Sequence, residues 1–272
     1  MIIALIDNGS LEPAAQLNLR AVATALSDRV GLRVEAVSWK HSDRVPADAL
    51  GGISAWTLAP FVRAQVARGE RDFVFVPFFI SAQGAIGSAL RGDLEKLQRE
   101  AAVATPFEFI FTPGLAAQGA IAGIVAERVR ETIALRGLHR PSIVVVDHGG
   151  PSAASAALRD SLADEARTLL GVEIGPLAAA SMEGSHGPLL AEQVGAAQFA
   201  RGDVVVAPLF LSPGRHAGDD GDVQRICRAA EAQLPSLRCH VTGLVGTHSR
   251  AIEPLVLALR ETLKIFHAHT LA

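Results

Sequence analysis

Two histidines and a glutamate in the second half of the chain are spaced so that they could share one metal ion. His148, Glu183 and His216 each follow an apolar segment typical of a buried strand, at intervals of 35 and 33 residues. In a parallel sheet with right-handed crossovers the carboxyl ends of the strands lie at one edge, so these residues are expected to converge. Two imidazoles and a carboxylate are a ligand set for cobalt, iron, nickel or zinc.

Three protein ligands leave a coordination position open, which suits a metal that is handed on or one that activates water. The sequence is also compatible with a simpler interpretation, in which the histidines are hydrogen-bonded loop residues and Glu183 is a surface carboxylate. Asp219 and Asp220 could orient His216 or merely begin a helix. His186 and His248 lie near the same expected edge, and neither is favoured as a ligand.

The most informative stretch runs from Asp203 to Asp222, with the sequence DVVVAPLFLSPGRHAGDDGD. Its apolar, β-branched part, Val204 to Leu211, predicts a strand buried on both faces that stops at Ser212. The loop beyond it places His216 just past the carboxyl end of that strand. In open α/β sheets, ligands bind at this edge.

Apolar segments with strand and helix periodicity alternate along the rest of the chain. Strands are predicted at 1–6, 34–38, 73–80, 108–112, 142–146, 172–181 and 204–211, and helices at 13–26, 59–67, 90–100 and 120–135. This alternation indicates parallel crossovers and a layered α/β fold.

Four short segments recur in the same order in both halves of the chain. The matched pairs are Asp7-Asn8-Gly9 with Asp147-His148-Gly149, Pro77–Ser81 with Pro208–Ser212, Thr112 with Thr242, and Ala120-Ile121 with Ala251-Ile252. We therefore predict an internal duplication that gives two similar α/β domains, 1–136 and 142–272, each a parallel sheet flanked by helices, with a cleft between them.

The two predicted halves differ at the positions that could do chemistry. Asn8 stands where the second half has His148, and Ala85 stands opposite His216. Lys40 or His41 takes the place of Glu183. Only the second half therefore keeps the imidazoles.

Composition limits the classes of partner. The chain has 272 residues, 49% of them hydrophobic, and no apolar run approaches the roughly 18 residues that a membrane span needs. The formal charge is -3, the isoelectric point is near 6.3 and no basic cluster occurs. Neither nucleic acid nor a membrane is therefore expected as a partner.

Several familiar motifs are missing. The sequence contains no GxxxxGK[ST], GxGxxG or GxSxG motif, so no nucleotide cofactor and no serine nucleophile are expected. Cys227 and Cys239 form neither a CxxC nor a zinc pattern, and the start MIIALIDNGS does not resemble a signal peptide. A reducing cytoplasm is the expected location.

The strand that ends in Asp147-His148-Gly149-Gly150 and the later loop PLFLSPGRHAGDD, in a duplicated α/β chain, resemble the sirohydrochlorin cobaltochelatase and ferrochelatase family of CbiX type, within the class II chelatases. The resemblance covers essentially the whole chain and is most specific around His216. Shorter members of that family are single halves that dimerise, and this chain is similar to a fused two-half form. A monomer is therefore expected.

The resemblance implies a lyase-class metal chelatase of siroheme or cobalamin biosynthesis. Such an enzyme inserts Co²⁺ or Fe²⁺ into sirohydrochlorin or a related tetrapyrrole without nucleotide hydrolysis; Ni²⁺ is a further candidate. The divalent metal is then a substrate. The family's catalytic, metal-holding histidines fall on His148 and His216, and its acidic ligand falls on Glu183.

The chemistry of these residue types fits metal insertion. The metal must lose water ligands and the ring must lose two pyrrole protons, and neutral imidazoles can bind the ion and accept protons because their ordinary pKa is about 6.5. Arg215 or Arg91 could pair with the carboxylates of the ring, although Arg215 could equally be a surface residue. The small, largely apolar loop 81–87 of the first half could lie against the ring.

Two rival functions use the same residues. A non-catalytic carrier of metal or tetrapyrrole would also need the histidines, but only an enzyme would give a metallated product at a rate that saturates with macrocycle. A metal-dependent hydrolase with Glu183 as its base is the third hypothesis, and no further motif supports it.

Overall fold

The computed structural model describes residues 1–80, 85–101, 106–150, 152–196, 198–218 and 220–270, and for residues 85–87 and 266–270 it describes the backbone. Its strands and helices are, in chain order, β1 (Ile2–Asp7), α1 (Pro13–Val30), β2 (Val34–Ser38), β3 (Trp56–Thr57), α2 (Leu58–Ala67), β4 (Asp72–Pro77), α3 (Ala85–Ala101), β5 (Glu108–Phe111), α4 (Ile121–Arg136), β6 (Ser142–Gly149), α5 (Ala153–Leu170), β7 (Leu177–Glu183), α6 (Leu190–Gly195), β8 (Gly202–Pro208), α7 (Asp222–Gln233), β9 (Leu237–Val241) and α8 (Ile252–Thr270).

The chain folds into two compact units. The first consists of Met1–Gln118 with Ile252–Ala272, and the second of Gly119–Ala251. Among the described residues, no helix combines the length and the apolar character that crossing a membrane requires.

The first unit is built on a parallel sheet with the strand order β3-β2-β1-β4-β5. Its central strands are apolar because both faces are covered by helices. One face packs against α2 and α3 around buried phenylalanines that include Phe61, Phe73 and Phe75. Helix α1 begins with a proline at its first turn, is capped after Val30 by Gly31 and contacts β1 and β2.

The second unit repeats this design with the strand order β7-β6-β8-β9, again all parallel. Helices α6 and α7 pack against one face of the sheet through side chains such as Leu190, Val194 and Val223. Helices α4 and α5 contact β6, β7 and β8. The structure thus confirms an α/β fold of two similar parallel sheets flanked by helices.

The two sheets also share their register. Ile6 pairs with Pro77 in the first sheet as Val146 pairs with Pro208 in the second. On the other side of the central strand, the pair Asp7 and Ser38 corresponds to the pair Asp147 and Ser181. An internal duplication predicts such a correspondence.

The compact units divide the chain differently from the predicted domains 1–136 and 142–272. Helix α4 packs against α5 and β8, and helix α8 packs against α1. The buried face of α4, which includes Ile121, Ile124 and Val125, is therefore part of the second unit. The predicted boundary follows the sequence repeat, whereas packing assigns the helix that ends each repeat to the other unit.

Several predicted strand ends were wrong. Strands β4 and β8 end at Pro77 and Pro208, three residues before the predicted ends at Ile80 and Leu211. Proline has no N–H to donate to a ladder, so each strand stops there. Strand β6 extends to Gly149, and β7 begins only at Leu177, since a 3-10 turn and a Gly-Pro pair precede it.

Gly149 lies where the carboxyl ends of β6 and β7 come closest. It pairs with Glu183 in the ladder and has a φ of 82°. A Cβ atom at this position would lie 1.8 Å from the carbonyl oxygen of Glu183. Only glycine satisfies both the positive φ and the close backbone approach.

Replacing Gly149 with alanine should therefore lower the free energy of unfolding by roughly 3 kcal/mol or more, because strain in φ and a backbone clash act together. The matched control is Gly137→Ala: Gly137 has a φ of 64°, but no atom lies within 4 Å of the added Cβ. It should lose only about 1 kcal/mol. Urea denaturation measures both variants, and equal losses would contradict the close approach of the strands.

Candidate functional site

The ends of β6 and β7 bring His148 and Glu183 together. His148 is the penultimate residue of β6, Glu183 is the last residue of β7, and the register pairs Gly149 with Glu183. The Nδ1 atom of His148 lies 3.4 Å from Oε1 of Glu183. Both side chains are more than half exposed, so this pair is open to a ligand. Both residues lie inside the ends of their strands, whereas the sequence predicted that they would follow the strands.

His216 reaches the same place from the loop after β8. The loop is held by backbone hydrogen bonds, among them Gly218 N–H to Gly214 O at 3.0 Å and Val223 N–H to His216 O at 3.1 Å. The rings of His148 and His216 meet edge to face with centroids 4.7 Å apart. The ring of Phe210 stacks near that of His216, with the two centroids 6.3 Å apart. The three residues predicted from the sequence therefore converge at one edge of one sheet.

Asp222 is a neighbour of His216 that the sequence analysis missed. Its Oδ2 atom lies 2.6 Å from Nδ1 of His216, yet this buried nitrogen has no aligned hydrogen-bond partner among the described residues. Asp222 also pairs with Arg225 on the next turn of α7. Asp222 is the first residue of α7, and the apolar periodicity that begins at Val223 indicates the start of this helix but not the contact with His216.

For Asp219 and Asp220 the sequence left two alternatives open, partners that orient His216 or the start of a helix. Asp219 lies outside the described residues. Asp220 is almost fully exposed and pairs with Arg228 of α7 at 3.2 Å, which favours the second alternative for Asp220. The hydrogen bond from Asp222 N–H to Arg215 O turns the loop back, which brings Asp222 next to the imidazole.

The pKa of the His216 imidazole is lowered from its ordinary value of 6.5. Burial is the main cause, because it disfavours the charged ring, and the charges of His148 and Arg215 act in the same direction. The carboxylate of Glu183 opposes this shift. Because the folded-state pKa is below that of the unfolded chain, the fold loses stability as the pH falls through about 6.5, and His216 is neutral at pH 7.

The candidate ligand atoms are close but not grouped around one point. Within the part of the chain that the structure describes, no three His, Cys, Asp or Glu side chains form a group that could hold a metal ion. His148 and Glu183 face each other, and Nδ1 of His216 faces Asp222.

A buried polar cluster lies directly behind His148 and Glu183. The Ser181 hydroxyl donates to Oδ1 of Asp147 at 2.6 Å, and the guanidinium of Arg159 donates to Ser181 and lies 3.8 Å from the same carboxylate oxygen. Burial raises the pKa of Asp147, while the bond from Ser181 and the charge of Arg159 oppose that rise. Asp147 and Gly149 recur in both halves of the sequence as Asp7 and Gly9. This repetition is the sequence feature from which a structural role for Asp147 could have been predicted.

The first unit contains the same scaffold with other side chains. Burial raises the pKa of Asp7 to about 6. Two hydrogen bonds to its carboxyl group oppose this shift, one with the Ser38 side chain and one from the N–H of Gly9. A Cβ at Gly9 would meet the carbonyl oxygen of Lys40, just as one at Gly149 would meet that of Glu183. Lys40, rather than His41, therefore takes the position of Glu183.

The remaining predicted residues have other surroundings. Arg215 is largely exposed, with its Nε 3.5 Å from Asp222, and Arg91 lies over the ring of Phe111 in the first unit. Of the loop 81–87 that was predicted to face the ring, residues 81–84 lie outside the described residues. The other three residues belong to α3, which begins at Ala85.

His248 is not part of the candidate site. Its nearly buried ring lies between Glu127 and Glu131 of α4, 3.4 and 3.5 Å away, and both carboxylates also pair with arginines. His186 contributes its carbonyl oxygen to Arg159 at 3.1 Å. The structure thus separates His248 from the pair of rings formed by His148 and His216, whereas His186 lines a small cavity together with Gly149 and Glu183.

A cavity of about 340 Å³ opens beside His216. It is bounded by the ends of β8 and β9 and the start of α7, and it mixes apolar walls with hydroxyl and amide groups. Its lining residues are Pro208, Pro213, His216, Ala217, Gly218, Val223, Gln224, Val241, Thr242, Gly243, Leu244 and Thr247. A cavity of this size and character can take part of a large organic ligand.

Residues 142–262 match the CbiX family model. No curated protein sequence matches the chain. Three similar solved structures each share the fold over 96% of this chain. They are SirB from Bacillus subtilis with Fe3+ (16% identity, 96% of that chain, TM-score 0.67), the sirohydrochlorin chelatase SirB from Bacillus subtilis subspecies spizizenii in complex with cobalt (14%, 95%, 0.68), and CbiX, the terminal enzyme for biosynthesis of siroheme in denitrifying bacteria (16%, 99%, 0.65).

Replacing Arg215 with glutamine should raise the pKa of His216 towards its ordinary value, because a nearby positive charge is removed. The rise should shrink at high salt, since Arg215 is exposed. Proton NMR titration of the His216 ring, assigned with His216→Ala, measures this. Arg238→Gln is the control, because Arg238 bonds backbone carbonyls at the start of β9. A wild-type pKa above 6.5 would contradict the account.

Proposed function

We propose that this chain, whose residues 142–262 match the CbiX family model, is a metal chelatase that inserts Co²⁺ or Fe²⁺ into sirohydrochlorin or a related tetrapyrrole. The observation that carries the proposal is the convergence of His148, Glu183 and His216 at one sheet edge within the matched residues. The metal is a substrate, and no nucleotide takes part. Since two halves are fused in one chain, we expect a single chain to be active.

The two imidazoles and the carboxylate would hold the ion before transfer. With Nδ1 of His216 beside Asp222, Nε2 is the nitrogen with which His216 would bind, and Asp222 would orient the ring as carboxylates do for metal-bound histidines. The ion would replace the direct contact between His148 and Glu183. Borderline divalent metals such as Co²⁺ and Fe²⁺ accept this mixture of nitrogen and oxygen ligands.

Metal insertion also requires two protons to leave the ring. Each imidazole nitrogen that releases the ion to the macrocycle regains a lone pair and can accept one of those protons. Because the pKa of His216 lies below its ordinary value, this ring is neutral at pH 7 and competent both to bind and to accept. The charges balance, since one divalent cation enters the ring as two protons depart.

The cavity beside His216 would receive one edge of the macrocycle. It adjoins the imidazole, and its walls combine apolar side chains with Thr242, Thr247 and Gln224, which suits a ring with polar arms. Its volume of about 340 Å³ is at the low end for organic ligands, so it would hold part of the ring and leave the rest at the open face near His148.

A carrier that binds metal or tetrapyrrole without converting it is the alternative. The exposed pair of His148 and Glu183 would serve such a carrier equally well, because it is open to an incoming ligand and to a receiving partner. Catalysis of product formation separates the two functions.

The decisive assay follows the visible spectrum of sirohydrochlorin under anaerobic conditions with Co²⁺, Fe²⁺ and Ni²⁺ in turn. We expect wild-type protein to accelerate metal insertion over the uncatalysed reaction. His148→Ala and His216→Ala should each lower the turnover number about 100-fold or more, because each removes both a ligand and a proton acceptor. His139→Ala is the matched control, since His139 is exposed and lies before β6.

Wild-type protein that binds Co²⁺ through these histidines without exceeding the uncatalysed rate would favour the carrier. Turnover that survives both substitutions would refute the proposed site. The order of rates with the three metals would rank the substrates.

A further inference from the structure

The buried guanidinium of Arg159 contacts every segment that holds the His148 and Glu183 pair. Arg159 lies on α5 and its side chain is only 3% exposed. One amino group donates to the Ser181 hydroxyl of β7 and, at 3.1 Å, to the carbonyl oxygen of His186. Nε and the other amino group donate to Asp160 at 2.9 and 2.7 Å. Each of the three guanidinium nitrogens therefore donates at least one hydrogen bond.

Each contact of this cluster constrains a candidate ligand. Asp147 directly precedes His148 and receives the Ser181 hydroxyl at 2.6 Å, while its carboxylate also accepts the N–H of Gly149. The backbone on both sides of His148 is thereby fixed. Ser181 lies two residues before Glu183 on the same strand, so Arg159 connects the ends of β6 and β7 through one hydroxyl.

The loop after Glu183 is fixed by the same side chain. A Cβ at Gly187, which has a φ of 114°, would meet an amino nitrogen of Arg159 at 2.8 Å, so the loop can approach the guanidinium only with glycine there. The loop therefore begins at Glu183, accepts a hydrogen bond from Arg159 at the carbonyl oxygen of His186 and passes close to the guanidinium at Gly187.

The first unit supplies a comparison within the same chain. There Gln16 of α1 is buried and donates to the hydroxyls of Ser38 and Ser42 at 2.6 and 2.8 Å. A neutral amide thus performs the structural task where Asn8 and Lys40 replace the candidate ligands. Among the described residues, the buried cation lies in the unit that holds the histidines and the glutamate.

We infer that Arg159 is a positioning residue, which holds His148 and Glu183 at the spacing that lets both bind one divalent cation. The inference rests on the proposed function for the identity of the ligands. Arg159 does not contact the metal; it acts through Asp147, Ser181 and the loop that follows Glu183. Removing a group that orients metal ligands in this way typically lowers the metal affinity about 10–100-fold.

The test compares Co²⁺ binding, by calorimetry and by the visible absorption of the bound ion, among matched variants. Arg159→Gln installs the amide that the first unit uses and should weaken Co²⁺ binding about 10–100-fold while the far-UV spectrum is retained. Arg159→Lys keeps the cation and should restore part of the affinity. Arg167→Gln is the control: Arg167 lies on the same helix and donates to Leu177 at the opposite end of β7.

Ser181→Ala covers the case in which Arg159→Gln does not fold. It removes the hydroxyl that joins Arg159 to Asp147 and should also weaken Co²⁺ binding about tenfold or more. Wild-type affinity in folded Arg159→Gln, or in Ser181→Ala, would overturn the inference, as would equal losses in Arg167→Gln. Wild-type protein that binds Co²⁺ but metallates no tetrapyrrole would refute the chelatase, yet the ranking of these variants would still support Arg159.

Discussion

The close parallel approach of β6 and β7 at their carboxyl ends is the constraint on which the rest of the candidate site depends. It requires a glycine at position 149, because a Cβ there would meet the carbonyl oxygen of Glu183. It also sets the register that pairs Asp147 with Ser181, and so places His148 beside Glu183. The exposed pair stands on a buried polar cluster, whose hydrogen bonds constrain the strand ends that carry both residues.

Duplication explains how the protein separates structural from chemical roles. Both units keep the aspartate, the serine and the close-packed glycine at the ends of their central strands, which are the parts that shape the sheet edge. Among the described residues of the two sheet edges, those of the second unit add two imidazoles, a facing carboxylate and a buried arginine. The first unit therefore shows which features the two folds share, and the difference between the units marks the residues on which the proposed chemistry would depend.

The sequence was a good guide to the sheet and to the converging residues, since long β-branched segments and strand-end positions have strong signals. It misjudged the ends of β4 and β8, where a proline inside an apolar segment stops the ladder although hydrophobicity continues. It also could not identify Asp222 as the neighbour of His216. That contact depends on how the loop folds back onto the start of α7, which no local pattern specifies.

The helix that ends each repeat marks another limit of sequence reasoning. The repeat in the sequence assigns α4 to the first half and α8 to the second, whereas both helices pack in the other unit. Amphipathic spacing shows that a helix has an apolar face, but it carries no information about which sheet will cover that face. The buried contact between Arg159 and Ser181 could not be predicted either, because the sequence of α5 does not show which strand its residues will face.

The most direct test of the central claim is X-ray absorption spectroscopy of the Co²⁺-loaded protein. The account predicts a cobalt ion with two imidazole ligands and at least one oxygen ligand, with one imidazole lost in His148→Ala and one in His216→Ala. A cobalt environment that contains no imidazole, or that neither substitution changes, would contradict the claim that the edge formed by β6, β7 and the loop after β8 holds the metal.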